Sequence, residues 1–205
     1  MSHQLVLATR NQGKIAEFRR ILDALAPGTI ELIGVDQFPE LIDVEETGST
    51  FEENSLLKAR YTSQATGLPA IADDSGLCVD ALNGDPGIFS ARWAGSHGND
   101  IANLEKVLEQ MKNIPDGGRS AHFMCVASLV LPDGRQEVAE ARFDGDILFT
   151  PIGDKGFGYD PIFRPAGMTI SAAQMSATEK DLLSHRGKSL RALAPHVIQL
   201  LASLG

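Results

Sequence analysis

Cysteine is scarce in this chain: Cys78 and Cys125 are the only two, each inside an apolar stretch, and no C-x-x-C spacing occurs. This excludes a disulfide scaffold and reads as two small buried hydrophobes in a reducing compartment. None of the five histidines has zinc-ligand spacing. Long apolar runs are also missing; Phe123–Leu131 is the longest candidate, well short of the ~18 residues of a membrane span. The opening Met-Ser-His-Gln lacks a basic segment followed by an apolar one, so no secretory signal and no membrane partner are expected, and the expected location is cytoplasmic.

Lys and Arg are absent from Ile21 to Leu57, a window that holds nine acids: Asp23, Glu31, Asp36, Glu40, Asp43, Glu45, Glu46, Glu52 and Glu53. Outside it 18 acids meet 18 bases, so the formal net charge of −9 arises within that window. An acidic surface repels phosphate polymers, which argues against a nucleic-acid partner. A small phosphorylated ligand remains compatible wherever a few bases converge and a cation bridges to the acids.

The common nucleotide signatures are missing too. Gly187-Lys188-Ser189 imitates the tail of a Walker A loop, but Leu182 stands where its first glycine must be, and no G-x-G-x-x-G occurs.

What is present is ordinary globular material, 43% hydrophobic and 22% charged over 205 residues. At the usual ~100–200 residues per domain this makes one domain, 1–205, or two lobes sharing a sheet. Leu5–Ala8 reads as a strand running into the polar turn Thr9–Lys14. An amphipathic helix follows on Ile15, Phe18, Leu22 and Leu25 and stops at Pro27-Gly28. Ile30–Val35 reads as a second strand. Ser49-Thr50 facing Glu52-Glu53 is a doubled capping-box pattern that opens a helix to about Thr66. Ala70-Ile71-Ala72 forms a brief strand ending in Asp73-Asp74-Ser75-Gly76. Leu104, Val107, Leu108 and Met111 mark another helix. His122–Leu131 and Gln136–Phe143 form a hairpin around Pro132–Arg135. Phe157–Phe163 reads as a further strand end, and the last helix, from about Ser189, is interrupted or kinked at Pro195. Alternating strands and helices followed by a hairpin fit an α/β fold with a mixed twisted sheet flanked by helices.

Several segments could carry chemistry, and each has a plainer reading. Thr9–Lys14 is either an anion site at a helix N-terminus or an ordinary cap with a solvated lysine. Asp73-Asp74 is either a hard oxygen site suited to Mg²⁺ or an Asx-turn. Glu45-Glu46 could complete a carboxylate site or be a solvated surface. Asn54 and Lys58 share one helix face, where Lys58 also reads as a surface lysine. Gly153–Pro161 sets glycines around two aromatics, as in a stacking loop or a plain turn. Ser184-His185-Arg186-Gly187 offers ligand-binding groups or a capping serine with two exposed cations.

The order of these segments is more specific than any one of them. Ala8-Thr9-Arg10-Asn11-Gln12-Gly13-Lys14, Glu45-Glu46-Thr47-Gly48, Phe51–Ala59, Ala72–Leu77, Pro86–Arg92, Gly156–Pro161 and Ser184–Gly187 together resemble the inosine triphosphate pyrophosphatase family and its bacterial dITP/XTP branch. The resemblance covers essentially the whole chain.

The resemblance implies an elongated two-lobed α/β fold with an active-site cleft between the lobes, and a homodimer. It implies Mg²⁺-dependent hydrolysis of non-standard purine nucleoside triphosphates (ITP, dITP, XTP) to the monophosphate and pyrophosphate. By motif, Thr9, Arg10, Asn11, Gln12, Gly13 and Lys14 would hold phosphates, and Glu45 and Asp74 the metal. Asp74 would also activate water, and Lys58 and Ser75 would contact the phosphate–sugar region. Phe157, Gly158, Tyr159, Asp160, Lys180, His185 and Arg186 would form the base pocket. Arg10 replaces the glycine of some members and Tyr159 the tryptophan of others. A Maf-like pyrophosphatase for modified or pyrimidine nucleotides and a non-catalytic nucleotide sensor are the alternatives.

Overall fold

Burial of alternating and continuous apolar runs dictates most of the architecture. A computed structural model describes residues 3–203. In chain order it contains β1 (His3–Leu7), α1 (Gln12–Leu25), β2 (Ile30–Gly34), α2 (Phe51–Thr66), β3 (Ala70–Val79), α3 (Asp100–Gln110), β4 (Ser120–Val130), β5 (Gln136–Ile147), β6 (Phe163–Pro165), α4 (Ala177–Leu183) and α5 (His185–Ala202), with short 3-10 turns between. The six strands form one sheet in the order β2-β1-β3-β4-β5-β6. β1 runs parallel to β2 and β3, whereas β5 and β6 are antiparallel, so the sheet is mixed. Among the described residues no helix is long and apolar enough to cross a membrane.

The chain divides into two compact units. Of the described residues, unit 1 holds 3–74, 125–141 and 186–203, and unit 2 holds 75–124 and 142–185. In unit 1 the α1 residues Phe18, Ile21 and Leu22 pack with Leu5, Leu7 and Ile71 of the parallel strands and with Leu193 of α5. In unit 2 Phe123, Phe143 and Phe163 meet ring against ring, with centroids 4.7 and 5.5 Å apart from Phe163, beside Val107 and Met111 of α3. Cys78 and Cys125 are both buried free thiols, one in each unit, as their apolar surroundings in the sequence require.

Local chemistry sets the helix ends. Asn11 Oδ1 accepts the Lys14 N–H and starts α1. Thr50 Oγ1 accepts the Glu53 N–H while the Glu53 carboxylate takes the N–H and hydroxyl of Ser49, which realises the capping pattern read from sequence. Gly67, at φ +68°, closes α2 in the left-handed region.

Three expectations fail for physical reasons. β3 does not stop at Ala72 but continues through Asp73-Asp74 to Val79, because both carboxylates find buried partners and Leu77-Cys78-Val79 extends the buried run. Phe157–Phe163 is a loop and a 3-10 turn before β6, since Gly156 and Gly158 adopt positive φ and Pro161 removes a strand donor. Pro195 does not break α5 into two segments: the helix runs unbroken from His185 to Ala202, with the proline ring on an exposed position.

Arg119 shows how unit 2 is braced. Its guanidinium is almost fully buried and donates to the carbonyls of Met111, Ile114, Ile147 and Leu148 at 2.7–3.0 Å, with the Phe149 ring 4.2 Å away. Burial lowers its pKa, against Asp116 nearby. Four backbone acceptors thus depend on one side chain. Arg119→Met should lower unfolding stability by about 3 kcal/mol, because buried carbonyls lose their donors. Urea denaturation measures it, and an unchanged midpoint would show that Arg119 does not brace unit 2.

Candidate active site

Unit 1 gathers its charged side chains around the middle of β3. Successive strand residues point to opposite faces, so Asp73 and Asp74 acquire different environments from adjacent positions. Asp73 is buried, with Lys14 Nζ 3.1 Å from Oδ1 and Arg186 Nη2 and Nε 3.0 and 3.3 Å from Oδ2. The Arg186 guanidinium also donates to Glu17, itself buried on α1. Two acids and two bases therefore balance within one buried cluster. Burial alone would raise the Asp73 pKa, but Lys14, Arg186 and Lys58 overcome it and hold the carboxyl far below its ordinary value. Arg186 is desolvated as well, yet Asp73 and Glu17 push its pKa upward.

Cys125 lies behind this cluster, its Sγ 3.8 Å from Asp73 Oδ2 and 3.2 Å from Ser189 Oγ. Burial first, then Asp73, pushes its thiol up to about 12, so it stays protonated and unreactive.

Asp74 faces a second set. Its Oδ1 lies 3.4 Å from Lys58 Nζ, and Lys58 also reaches Glu46 at 2.7 Å. Asn54 Nδ2 donates to Asp74 Oδ2 at 3.3 Å. Burial raises the Asp74 pKa above its usual range, with Lys58 and Lys14 opposing and Glu46 and Asp73 adding to it. Lys58 would lose its proton more readily through burial, but Asp74, Glu46 and Asp73 hold it charged and raise its pKa. A buried carboxylate with a raised pKa and a fixed cation beside it is the arrangement expected of a water-orienting base.

Of the Thr9–Lys14 segment, Thr9 Oγ1 accepts the Asn11 N–H at 3.2 Å and Gln12 Nε2 donates to the Arg10 carbonyl at 3.4 Å. Gly13 lies in the first turn of α1. Arg10 turns to the acidic loop, where Nε meets Asp43 Oδ1 and Nη2 meets the Leu41 carbonyl, both at 2.8 Å. Of the acid pair, Glu46 joins Lys58 while Glu45 is exposed. Ser75 follows Asp74 in β3, half-buried, as the first residue of unit 2.

Among the described residues no group of three or more His, Cys, Asp or Glu is arranged to hold a metal. The donor chemistry still suits Mg²⁺, which is commonly held by one or two carboxylates with substrate phosphates and water completing its shell. Asp74 and Glu46 meet that requirement, since one ammonium already reaches both.

Unit 2 brings Phe157, Asp160 and Lys180 together. Asp160 Oδ2 accepts the Phe157 N–H at 2.9 Å and the Lys180 ammonium, and Lys180 Nζ stands 4.8 Å from the Phe157 ring centre. Any side chain at Gly156 would collide with that carboxylate, and its φ is +74°, so glycine is required there. Gly158 N–H donates to Asp100 Oδ2 at 2.9 Å. Tyr159 is not a stacking surface: it is buried and its hydroxyl donates to the Ser90 carbonyl at 2.8 Å. The His185 ring stacks on Phe123, 4.8 Å apart and nearly parallel. Arg186, expected with the base pocket, is engaged in unit 1 by Asp73 and Glu17.

Glu17 and Asp100 carry weight that the sequence reading missed, and Asn54 carries more than it gave. Glu17 follows Lys14 by three positions on one helix face, a spacing that signals coupling. Asn54 was visible only as a neighbour of Lys58 at i, i+4. Asp100 opens α3, and nothing in the chain around it points to Gly158.

The model of the Ham1 family matches residues 5–196 of this chain. A dITP/XTP pyrophosphatase of Streptomyces coelicolor is 57% identical over 199 residues, covering 97% of this chain and 98% of its own. One from Nocardia farcinica is 48% identical over 197 residues, with 96% of each chain covered. Among solved structures, a HAM1 protein from Coxiella burnetii superposes with a TM-score of 0.85 at 40% identity, covering 96% of this chain and 99% of that one.

The buried cluster makes its own stability prediction. Asp73→Asn leaves two buried cations facing one acid and should cost about 3–5 kcal/mol. Because the folded pKa of Asp73 is depressed, its contribution is fully present above the unfolded value and fades as pH falls. The gap between wild type and variant should therefore stay constant above about pH 5 and narrow below ~3.9. Denaturant titrations at several pH values check this, and a gap that grows on acidification would contradict it.

Proposed function

This chain belongs to the Ham1 family, and from that membership and the setting of Asp74 we propose that it is a nucleoside-triphosphate pyrophosphohydrolase. Its substrates in this reading are the non-standard purine nucleotides dITP, XTP and ITP, cleaved to the monophosphate and pyrophosphate, with Mg²⁺ as cofactor. Clearing such nucleotides is work for a cytoplasmic enzyme, and we assign it there as a homodimer.

The observation that carries the reading is the division between neighbouring carboxylates: Asp73 neutralised by Lys14 and Arg186, Asp74 held beside Lys58 and Glu46 with its pKa raised. The α1 N-terminus and Lys14 offer backbone N–H groups and a point charge to phosphate oxygens. Asp74 orients a water in line with the α-phosphorus and takes its proton. Lys58 keeps Asp74 ionised and neutralises charge that develops on the phosphoryl oxygens. Bound Mg²⁺, held by Asp74 and Glu46, would supply charge neutralisation of the triphosphate and its leaving pyrophosphate.

Base selection follows from donors. Lys180 stands over an aromatic face in unit 2 and can donate to a 6-oxo group, where adenine presents an amino donor instead. A buried donor left unmatched is costly, so a site of this kind discriminates strongly. No observation favours the Maf-like or sensor alternatives.

Pyrophosphate release should be rapid for dITP, XTP and ITP with Mg²⁺, slow for ATP and dUTP, and negligible without the metal. Equal rates on ATP and ITP would overturn the base assignment. Asp74→Asn should lower kcat by ~10² or more while nucleotide still binds. Turnover near that of wild type would remove Asp74 from its role.

A further inference from the structure

Asn54 lies on α2 with a fully buried side chain. A buried carboxamide needs partners for both its oxygen and its amino group. Here those partners sit on different elements. Oδ1 accepts the Gly48 N–H at 2.8 Å, and Nδ2 donates to Asp74 Oδ2 at 3.3 Å. Gly48 belongs to the irregular acidic segment that carries Glu46, and Asp74 belongs to β3. One amide therefore sets the distance between the two carboxylates that meet Lys58.

Gly48 is matched to this contact. Its backbone is not in the left-handed region, so conformational freedom does not explain the glycine. Space does: a Cβ there would stand 2.6 Å from Asn54 Oδ1 and 2.7 Å from Glu53 Cβ. The bare backbone at 48 and the amide at 54 form two halves of one joint.

We propose that Asn54 is a positioning residue for the reaction. It holds Asp74 and the Glu46 segment in register, so that both carboxylates serve one cation and Asp74 Oδ1, on the Lys58 side, presents itself to water. This rests on the reading of Asp74 as the water-orienting carboxylate.

Asn54→Asp keeps the acceptor for Gly48 and replaces the donor to Asp74 with a second carboxylate. Gly48→Ala disturbs the joint from the other side while leaving residue 54 chemically intact. In Asn54→Ser the Oδ1 that a methyl group at position 48 would strike is gone, so adding Gly48→Ala to it should cost less than it does in the wild type, the contact with Glu53 Cβ and the residue 54 backbone nitrogen being common to both backgrounds. The readouts are kcat and KM for dITP, Mn²⁺ binding to nucleotide-free protein by electron paramagnetic resonance, and amide exchange across residues 44–50.

The expected result for Asn54→Asp is kcat lower by ~10- to 100-fold with KM for dITP little changed. Weaker Mn²⁺ binding should accompany it, and Gly48→Ala should show the same direction with faster exchange over 44–50. The Gly48→Ala and Asn54→Ser effects should be clearly non-additive. Wild-type kcat and Mn²⁺ binding in a folded Asn54→Asp protein would overturn the proposal. Should that variant not fold, additive effects in the Gly48–Asn54 cycle would overturn it equally. An inactive Asp74→Asn protein beside an indifferent Asn54→Asp would sink only this inference, whereas an active Asp74→Asn protein would sink the reading beneath it.

Discussion

Everything in unit 1 depends on keeping Asp73 ionised where water cannot reach it. A carboxylate buried alone would take up a proton or drive the strand apart. Lys14 from α1 and Arg186 from α5 both bind it, and Glu17 absorbs the second half of the arginine's charge. One strand residue thus ties the first helix, the central strand and the last helix by charge as well as by the Leu, Ile and Phe contacts around them. Such a cluster adds less net stability than an apolar core of equal volume. What it supplies is a fixed register for β3, and with it the orientation of Asp74 on the opposite face.

That arrangement explains why two adjacent acids differ so much. Asp73 is held far below its ordinary pKa and is chemically silent; Asp74 is raised and stands beside one cation with a second acid close by. The first makes the scaffold, and in the proposed reaction the second orients water. Unit 2 follows the same logic with different parts: Asp160 receives both the Phe157 N–H and the Lys180 ammonium, so the loop and the cation over its aromatic ring are held by one carboxylate.

Much of this was legible in the sequence, and the reasons can be traced to particular residues. The 3.6-residue spacing of Ile15, Phe18 and Leu22, and the capping pattern at Ser49–Glu53, are local signals, and α1 and α2 formed where they point. The seven ordered segments foretold the family because the order of motifs constrains more than any single one. Two misreadings share one cause: a partner distant in sequence. Asp73-Asp74 looked like a strand end because Arg186, 113 residues away, was not visible as a partner. Tyr159 looked like a stacking face because the Ser90 carbonyl that takes its hydroxyl lies 69 residues earlier. Glu46 could not be told from Glu45, since an irregular segment offers no period from which to infer direction.

A crystal structure would test most directly whether the two neighbouring acids divide into brace and reagent. The complex to solve is the wild-type protein with Mg²⁺ and a dITP analogue carrying an imido bridge between the α- and β-phosphorus atoms. The expected result is the ion on Asp74 and Glu46, phosphates against the backbone of Thr9–Lys14, and Asp73 still bound to Arg186. An ion on Asp73 or on Glu45, with Arg186 released from Asp73, would contradict it.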